Sequence, residues 1–463
     1  MQKAEFDLDL IKRYDGRGPR YTSYPTAVQF HDGFGEADYR RIALASNGEN
    51  PGDRPLSVYI HIPFCHSLCY YCGCYKIVTR HQHSADPYVE HLVEEMRMQA
   101  QLFDPQRRVD QLHFGGGTPT FLDPVQFRTV MEALFRYFGL HRGENREYSI
   151  EIDPRSVDEK TLPMLAELGF NRLSLGIQDF DPEVQKAVNR IQDEEWTLSL
   201  IHQARDVGFR SVSVDLIYGL PKQTAASFTH TLESVIRAQP DRIAAYSYAH
   251  LPEMFRSQRL IPEEYMPSGA EKLALLTRTV GYLTEHGYEY IGMDHFARPE
   301  DDLVRARREG TLHRNFQGYS THAELDLIGL GASSIGKVGP CYAQNIKKRH
   351  DYYDVVASGR LPVLRGVELT ADDILRREVI HALMCSGVAD MRQVEARHDI
   401  SFPDYFGREL EALQELETDG LVEVDSQEIR VTPKGRFLLR PIAMTFDAYL
   451  AAKQATERFS KVI

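Results

Sequence analysis

Residues 56–74, LSVYIHIPFCHSLCYYCGC, decide how the rest of the chain is interpreted. Their first half, LSVYIHIP (56–63), is a β-branched and apolar run that predicts a strand. It leads into a loop with four cysteines in the spacing C-x3-C-x2-C-x-C. Soft thiolate ligands this close together favour zinc or an iron–sulfur cluster. No second Cys-x2-Cys pair follows in the sequence, but His81 and His83 could complete a zinc site.

Strand-like and helix-like segments alternate after this loop. Such alternation, with apolar strands, predicts parallel βαβ units and an α/β fold. Six units fit either an open doubly wound sheet or a partial barrel, and both place ligand sites at the carboxyl ends of the strands. The predicted strands are 56–63, 109–115, 147–152, 172–178, 211–219 and 242–250, with one more at 289–296. The predicted helices are 84–103, 123–138, 157–168, 194–207 and 225–237.

The pattern of apolar and polar residues divides the chain into three parts. Residues 1–50 form an irregular leader, residues 51–361 hold the strand–helix units and their extension, and residues 362–463 are mainly helical. A hairpin around 421–435 makes the last part similar to a winged-helix module. In the leader, RYTSYPT (20–26) is typical of a surface loop that is packed by its own tyrosines.

Composition excludes several classes of protein. The 463 residues contain 54 lysines and arginines against 67 aspartates and glutamates, a net charge of −13, which argues against a protein that coats nucleic acid. No apolar run approaches the roughly 18 residues that a membrane helix needs. The N-terminus mixes charges instead of carrying a secretory signal. We therefore expect a cytoplasmic chain with reduced cysteines, no membrane span and no nucleic-acid partner.

Polar or flexible residues stand where the predicted strands end. The second strand ends in GGGTPT (115–120), and Glu151, Gln178 and Asp215 lie on the next three strands. Any one of these residues alone could equally be a solvated loop residue with no role in ligand binding. Arg190 could equally be a surface cation at the end of a helix. Because carboxyl ends of parallel strands meet at one edge, their recurrence around the cysteine loop favours a common ligand site.

C-x3-C-x2-C directly after the first strand of an α/β barrel resembles the radical S-adenosylmethionine (SAM) superfamily. The resemblance implies a partial (β/α)6 TIM-like barrel. It also implies that Cys65, Cys69 and Cys72 hold a [4Fe-4S] cluster whose fourth iron binds SAM. Tyr71 would lie near the adenine, and the glycines of GGGTPT near the SAM amino group.

The motifs taken together resemble one family, the oxygen-independent coproporphyrinogen III oxidases. They are RYTSYPT, YIHIPFC, CYYCGC, HFGGGTPT, EIDPR, RLSLGIQDF, VDLIYGLP, NFQGYS and GLGASSIG. Cys74 would not ligate the cluster, but it separates this family from related haem chaperones, which usually carry an aromatic residue there and lack the RYTSYPT leader. The family holds two SAM molecules, and Gln317 and Ile335 would lie near the second. The implied SAM-lining residues are Tyr59, Tyr71, Gly116, Gly117, Thr118, Glu151, Gln178, Arg190, Asp215, Ala249 and Ile335.

The resemblance also implies an activity. Two propionate side chains of coproporphyrinogen III would be oxidatively decarboxylated to vinyl groups, giving protoporphyrinogen IX, with Tyr59, Glu151 and Arg190 as catalytic residues. An external electron donor and acceptor would be needed, and the chain would act as a monomer with its leader folded over the substrate. Because cations recognise carboxylates strongly, Arg20, Arg190 and Arg314 are candidate partners for the propionates.

Three alternatives remain at this stage. One is a haem-binding chaperone on the same scaffold, and the second is a radical SAM methyltransferase that opens haem. The third is an α/β binding module stabilised by zinc.

Overall fold

Two units make up the chain in the computed structural model, which describes residues 7–322 and 325–450. One unit comprises Phe30–Thr279 and Leu325–Glu368. The other comprises Met1–Gln29, Val280–Glu324 and Leu369–Ile463. The three-part division at residues 50 and 361 stays a prediction.

The first unit contains a mainly parallel sheet with the order β6-β5-β4-β3-β2-β1-β7-β8-β9-β10. Neighbours from β6 to β7 are parallel, whereas β7 to β10 pair antiparallel. The strands are β1 (Leu56–Ile62), β2 (Arg108–Gly116), β3 (Glu147–Ile152), β4 (Arg172–Gln178), β5 (Ser211–Tyr218), β6 (Arg242–Ser247), β7 (Asp326–Leu330), β8 (Ile335–Val338), β9 (Cys341–Asn345) and β10 (Val363–Glu368). The six predicted parallel strands are therefore confirmed, as is the partial-barrel class.

The five predicted helices cover one face of this sheet. They are α1 (Asp86–Ala100), α2 (Pro124–Tyr137), α3 (Thr161–Leu168), α4 (Glu194–Asp206) and α5 (Ala225–Ala238). Local sequence sets their ends: Asp123 caps α2 by accepting hydrogen bonds from the backbone N–H groups of Val125 and Gln126, and Pro124 occupies the first helical position. Other helices of this unit are Glu36–Ala45, Pro182–Ala187 and Arg349–Ala357.

The strands alternate buried apolar residues with polar ones on the opposite face. In β5, Val212, Val214 and Leu216 are fully buried, while Ser213 and Asp215 occupy the alternate positions. Side chains of successive strand residues point to opposite faces, so one face of the sheet packs against the helices and the other carries polar groups.

Three sequence expectations need correction. The predicted strand 289–296 is two short antiparallel strands, Glu289–Gly292 and His295–Ala297, because Gly292 and Met293 adopt positive φ and turn the chain. The leader is not wholly irregular: Glu36–Ala45 is a helix, which buries Tyr39, Ile42 and Ala43. The glycine-rich residues 326–339, for which the sequence predicted no strand, supply β7, a seventh parallel strand that pairs with β1.

The second unit is mainly helical, as predicted for its C-terminal part. Its small antiparallel sheet has the order Val388–Asp390, Glu428–Val431, Val422–Val424, which confirms the predicted hairpin. Its other strands are Glu289–Gly292, His295–Ala297, His313–Asn315 and Gly318–Ser320, and its helices are Leu8–Arg13, Asp302–Glu309, Ala371–Cys385, Met391–His398, Phe402–Tyr405, Gly407–Thr418 and Leu439–Met444; Gly269–Glu285 spans the boundary.

The leader segment 20–26 is not a surface loop. Tyr21 and Tyr24 are almost completely buried within the second unit. The Tyr21 hydroxyl donates to the Asp447 carboxylate at 2.9 Å, and the backbone N–H of Ala448 donates to the Tyr24 hydroxyl at 3.1 Å. Among the described residues, no helix is both long and apolar enough to cross a membrane.

A buried carboxyl group fixes the loop that follows β7. Glu95, on α1, accepts hydrogen bonds from the Gly331 N–H at 2.8 Å, the Tyr352 hydroxyl at 2.6 Å and the Asn345 amide at 2.7 Å. Burial raises the pKa of Glu95 to about 7, although the three donors oppose that shift. The folded chain therefore favours the protonated carboxyl below about pH 7.

We expect the Glu95→Gln variant to lose part of the pH dependence of stability. In the unfolded chain Glu95 regains its ordinary pKa of about 4.3, so the free energy of unfolding should fall by up to about 3 kcal/mol as pH rises from about 4 to 7. Urea unfolding at several pH values in this window measures this slope. The exposed Glu90→Gln change on the same helix is the matched control and should keep the wild-type slope. An equal slope in Glu95→Gln and wild type would contradict the prediction.

Candidate active site

One cavity lies at the carboxyl ends of β1 to β5. Its volume of about 180 Å³ is many times the roughly 15 Å³ that a single water requires. Several strands contribute to it, as the fold predicts for a ligand site. Its lining consists of Cys65, Ser67, Cys69, Tyr71, Cys72, Cys74, Lys76, Gly116, Gly117, Thr118, Pro119, Glu151, Ile152, Asp153, Arg155, Ser174, Gly176, Gln178, Arg190 and Asp215.

Hydrogen-bond donors surround two of the cysteine sulfurs. The Thr118 hydroxyl donates to Cys65 Sγ at 3.4 Å. The guanidinium groups of Arg155 and Arg190 donate to Cys69 Sγ at 3.2 and 3.6 Å. Because a metal ligand must be a thiolate, cationic donors at the sulfur suit a cysteine that binds iron.

The thiols of the loop differ in their electrostatic surroundings. Burial raises the pKa of Cys65 to about 11. A hydrogen bond with Cys74, aided by the Lys76 ammonium, lowers the pKa of Cys72 to about 6. The Lys76 ammonium also donates to the Cys72 carbonyl at 2.8 Å. Lys76 thus stabilises the end of the cysteine loop by a hydrogen bond and supplies a positive charge close to the Cys72 sulfur.

A buried carboxylate holds both arginines in place. Asp153 Oδ2 lies 2.6 Å from Arg155 Nη2 and 3.1 Å from Arg190 Nη1. Arg190 is only 6% exposed and also donates to the Gly176 carbonyl at 2.6 Å. Burial alone would raise the pKa of Asp153, but the charges of Arg190 and Arg155 outweigh it and hold that pKa below its usual range.

The glycine turn after β2 lies directly against the end of β1. The Gly117 N–H donates to the Ile62 carbonyl and the Thr118 N–H to the Phe64 carbonyl, each at 2.8 Å. A Cβ atom on Gly117 would lie 2.8 Å from the Pro63 carbonyl group, closer than a side chain tolerates. Glycine is required here because the two backbones approach so closely.

We expect Gly117→Ala to lower the free energy of unfolding by about 1–3 kcal/mol, the range for an overpacked site. The added methyl group would push Thr118 away from Cys65. Thermal unfolding measures the loss. Gly281→Ala is the matched control, because Gly281 lies in the helix Gly269–Glu285 with no atom within 4 Å of the added Cβ. A Gly117→Ala variant as stable as Gly281→Ala would show that the close approach is not required.

A chain of polar groups runs along β3, β2 and β1. Glu151 Oε1 lies 3.2 Å from His113 Nε2, and Glu151 Oε2 accepts from the Gly116 N–H at 3.3 Å. His113 Nδ1 lies 2.6 Å from the Ser149 hydroxyl, and its ring stacks on Tyr59 with centroids 5.8 Å apart. Glu151 therefore links the cavity to Tyr59 through His113, although Tyr59 does not line the cavity itself.

Two further groups in the cavity have unusual environments. Burial, followed by the charge of Glu151, raises the pKa of Asp215 to about 7, and the Ser174 hydroxyl donates to Asp215 at 3.0 Å. Gln178 has a φ of 67°, and its buried Oε1 has no hydrogen-bond partner among the described residues. An unsatisfied buried acceptor beside the cavity is suited to a donor on a bound ligand.

Most predicted site residues meet in this cavity, but four do not line it. Tyr59 lies behind His113, and the Ala249 carbonyl is joined to the Tyr71 carbonyl through the Gln258 amide. Ile335 is on β8, and Gln317 lies in the second unit. Their roles stay predictions.

Sequence reasoning missed several members of the site. Asp153 and Arg155 were visible in EIDPR, but nothing local showed that they face Cys69. Ser174 was detectable, because residues 172, 174, 176 and 178 of β4 are non-apolar or glycine at every second position. Lys76, just beyond the last cysteine of the loop, gave no such signal.

The donor set fits a cluster better than a single ion. In the part of the chain that is described, no three His, Cys, Asp or Glu side chains are arranged to hold one metal ion. An iron–sulfur cluster is bulkier, so its ligands need to face one cavity rather than one point. Cys65, Cys69 and Cys72 face such a cavity, with a hydroxyl donor on the Cys65 sulfur and guanidinium donors on the Cys69 sulfur.

Known proteins give an independent view of this chain. The radical SAM superfamily model matches residues 59–235, and the HemN C-terminal domain model matches residues 369–438. The oxygen-independent coproporphyrinogen III oxidase of Escherichia coli (strain K12) is 50% identical over 463 residues, which cover 100% of both chains. This chain belongs to the oxygen-independent coproporphyrinogen III oxidase family.

Other members of the oxygen-independent coproporphyrinogen III oxidase family agree. The Pseudomonas aeruginosa member is 47% identical over 463 residues, again covering 100% of both chains. A solved structure described as "Coproporphyrinogen III oxidase (HemN) from Escherichia coli is a Radical SAM enzyme" superposes with a TM-score of 0.91 at 49% identity, covering 97% of this chain and 100% of that one. The family resemblance is thus confirmed. The chain is a radical SAM oxidoreductase, and its cofactors are a [4Fe-4S] cluster and SAM.

Proposed function

We propose that this chain oxidatively decarboxylates two propionate side chains of coproporphyrinogen III to vinyl groups and releases protoporphyrinogen IX. The observation that carries the proposal is the three-cysteine loop at a polar cavity, in a chain that is 50% identical over its full length to a named coproporphyrinogen III oxidase. The zinc-stabilised binding module has no comparable support.

In this proposal Cys65, Cys69 and Cys72 hold the cluster, and Cys74 lies beside it without ligating. When bound, the cluster and SAM supply a 5′-deoxyadenosyl radical, which takes a hydrogen atom from the β-carbon of a propionate. Loss of CO2 and of one electron to an external acceptor then leaves the vinyl group.

The residues of the chain position these partners. Asp153 fixes Arg155 and Arg190 against Cys69, and both guanidinium groups oppose the negative charge of a thiolate ligand. Glu151 holds the Gly116 N–H, and with it the glycine turn on which the SAM amino group would rest.

Two polar groups of the cavity would face SAM. Gln178 Oε1 offers an acceptor, and the Asp215 carboxyl, held by Ser174, offers a second polar contact. Tyr59, Glu151 and Arg190 are proposed as the catalytic residues. A second SAM would lie near Gln317 and Ile335.

The remaining partners follow from the chemistry. The proposed reaction needs an external electron donor and an external acceptor, and the chain would work as a cytoplasmic monomer. Its net charge of −13 argues against a nucleic-acid partner.

Anaerobic turnover tests the proposal. The reconstituted protein would be incubated with coproporphyrinogen III, SAM, a one-electron reductant and an electron acceptor, and the products analysed by mass spectrometry. We expect two successive decarboxylations, and none when SAM is omitted. Retention of haem without any decarboxylation would instead identify a chaperone, and SAM-dependent methylation and opening of haem would identify the methyltransferase.

A further inference from the structure

A buried arginine in the second unit has no acidic partner. Arg314 lies on the strand His313–Asn315 and is 2% exposed. Its Nη1 has no hydrogen-bond partner among the described residues, and its guanidinium makes no ion pair with any carboxylate of residues 7–322 and 325–450.

The contacts of Arg314 do not neutralise its charge. Its Nε donates to the Arg20 carbonyl at 3.3 Å, and its guanidinium lies over the Tyr319 ring at 4.7 Å from the centroid. An aromatic face and a neutral carbonyl stabilise a cation only in part. Arginine cannot lose its proton in a protein, so the buried charge persists.

Other deeply buried arginines of the chain are paired. Arg107 binds Asp326 at 2.7 Å, Arg190 binds Asp153 at 3.1 Å and Arg307 binds Glu289 at 2.7 Å. Arg440 instead donates to the carbonyl groups of Gly18 and Pro19. Among these five arginines, Arg314 alone combines two features in the described part of the chain. One of its guanidinium nitrogens is buried without a hydrogen-bond acceptor, and the guanidinium has no carboxylate partner.

The same hairpin carries a second unsatisfied donor. The Gln317 side-chain Nε2 is buried without a hydrogen-bond partner in the described part of the chain. Gln317 lies in the turn between His313–Asn315 and Gly318–Ser320, and its backbone N–H donates to the Asn315 side chain at 2.9 Å. Two buried donors three residues apart, both without an acceptor among the described residues, suit a ligand group that accepts hydrogen bonds.

Charge pairing also distinguishes Arg314 from Arg20 and Arg190, the other two arginines that the sequence offered as partners for the propionates. Arg20 already pairs with Asp294 within the second unit. Arg190 is engaged by Asp153, the Gly176 carbonyl and Cys69. Of the three candidates, Arg314 is therefore the one whose charge is still available to a ligand.

We propose that Arg314 binds a carboxylate group of a ligand, with Gln317 as a neighbouring donor. The identity of the ligand rests on the proposed function. The carboxylate is either a propionate of coproporphyrinogen III or the methionine carboxylate of a SAM molecule. Both offer the planar pair of oxygens that a guanidinium binds with two parallel hydrogen bonds.

Arg314→Met and Arg314→Lys in the reconstituted enzyme test the site. Binding would be measured by fluorescence titration with coproporphyrin III, the stable oxidised form of the substrate, and by equilibrium dialysis with labelled SAM. We expect Arg314→Met to weaken binding of one of these two ligands about tenfold or more, and Arg314→Lys to weaken it less. Loss of porphyrin binding identifies a propionate, and loss of SAM binding identifies the methionine carboxylate.

Two controls keep a structural role apart from a binding role. The tetramethyl ester of coproporphyrin III has no carboxylates, so if the ligand group is a propionate its affinity should be the same for wild type and Arg314→Met. Because Arg314→Met removes an uncompensated buried charge, its melting temperature should equal or exceed that of wild type. Arg307→Met, which breaks the pair with Glu289, should melt at a lower temperature.

Unchanged affinity of Arg314→Met for both coproporphyrin III and SAM would overturn the proposal. The proposal would also be overturned if Arg314→Met melted at as low a temperature as Arg307→Met and bound coproporphyrin III and its tetramethyl ester equally less tightly than wild type. If wild type binds no coproporphyrin III, the proposed substrate is wrong, but the SAM titration still decides whether Arg314 binds a carboxylate.

Discussion

Cys69→Ser should abolish both the cluster and the activity. Cys69 is buried, and its sulfur accepts from the guanidinium groups of Arg155 and Arg190, so no neighbouring thiol can take its place between them. A serine hydroxyl is a poor ligand for iron at neutral pH, because the soft thiolate is what the metal prefers. Iron content should fall from about four atoms per chain to near zero after anaerobic reconstitution. Turnover should fall by at least about a thousandfold, which is more than the loss expected when a metal ligand is weakened but not removed.

Cys74→Ser is the matched control for that experiment. Cys74 lines the same cavity but is exposed, and the hydrogen bonds from Arg155, Arg190 and Thr118 go to Cys69 and Cys65 instead. We expect this variant to keep most of its iron and its absorption spectrum. Equal loss of iron in Cys69→Ser and Cys74→Ser would show that the ligand assignment is wrong.

Asp153→Ala should have the largest effect on stability. The substitution removes a carboxylate that pairs with both Arg155 and Arg190 and leaves the Arg190 guanidinium buried and uncompensated among the described residues. Breaking such a pair from one side costs about 3–5 kcal/mol. Urea unfolding of the cluster-free chain under reducing conditions measures this loss without a contribution from iron.

Acid should remove the same contribution from the wild-type chain. Because the folded pKa of Asp153 is depressed, its stabilisation is present above the ordinary aspartate pKa of about 3.9 and is lost as pH falls further. Asp153→Ala should therefore be less sensitive to acid than wild type. Glu183→Gln is the control, because Glu183 pairs with Lys186 and Lys222 on the surface and should contribute little. Similar stabilities of the two variants would contradict the role given to Asp153.

The sequence predicted the parallel sheet and the position of the cysteine loop because both signals are local. The strands 147–152 and 172–178 were predicted at their observed ends, since apolar runs between turn residues specify them directly. β7 was not predicted because Gly329 interrupts its apolar run, and the segment becomes a strand by pairing with β1, more than 260 residues away. Tertiary pairing overrides local propensity in such a case.

Contacts between distant residues account for most of what the sequence did not reveal at the site. EIDPR was recognisable as a motif, but the approach of Arg155 to Cys69 joins residues 86 positions apart. Glu95 looked like an ordinary helix residue until Gly331, Asn345 and Tyr352 were found around it. The isolation of Arg314 is likewise a property of the folded environment, because only the structure shows that no carboxylate meets it among the described residues.

Transfer of deuterium from substrate to 5′-deoxyadenosine tests whether the reaction begins with removal of a hydrogen atom from the propionate β-carbon. Coproporphyrinogen III deuterated at the propionate β-carbons would be turned over anaerobically with SAM and a reductant, and 5′-deoxyadenosine analysed by mass spectrometry. We predict that 5′-deoxyadenosine carries deuterium in proportion to the vinyl groups formed, and that Cys69→Ser forms neither product. Vinyl formation without deuterium in 5′-deoxyadenosine, or deoxyadenosine formation at an unchanged rate in Cys69→Ser, would contradict this prediction.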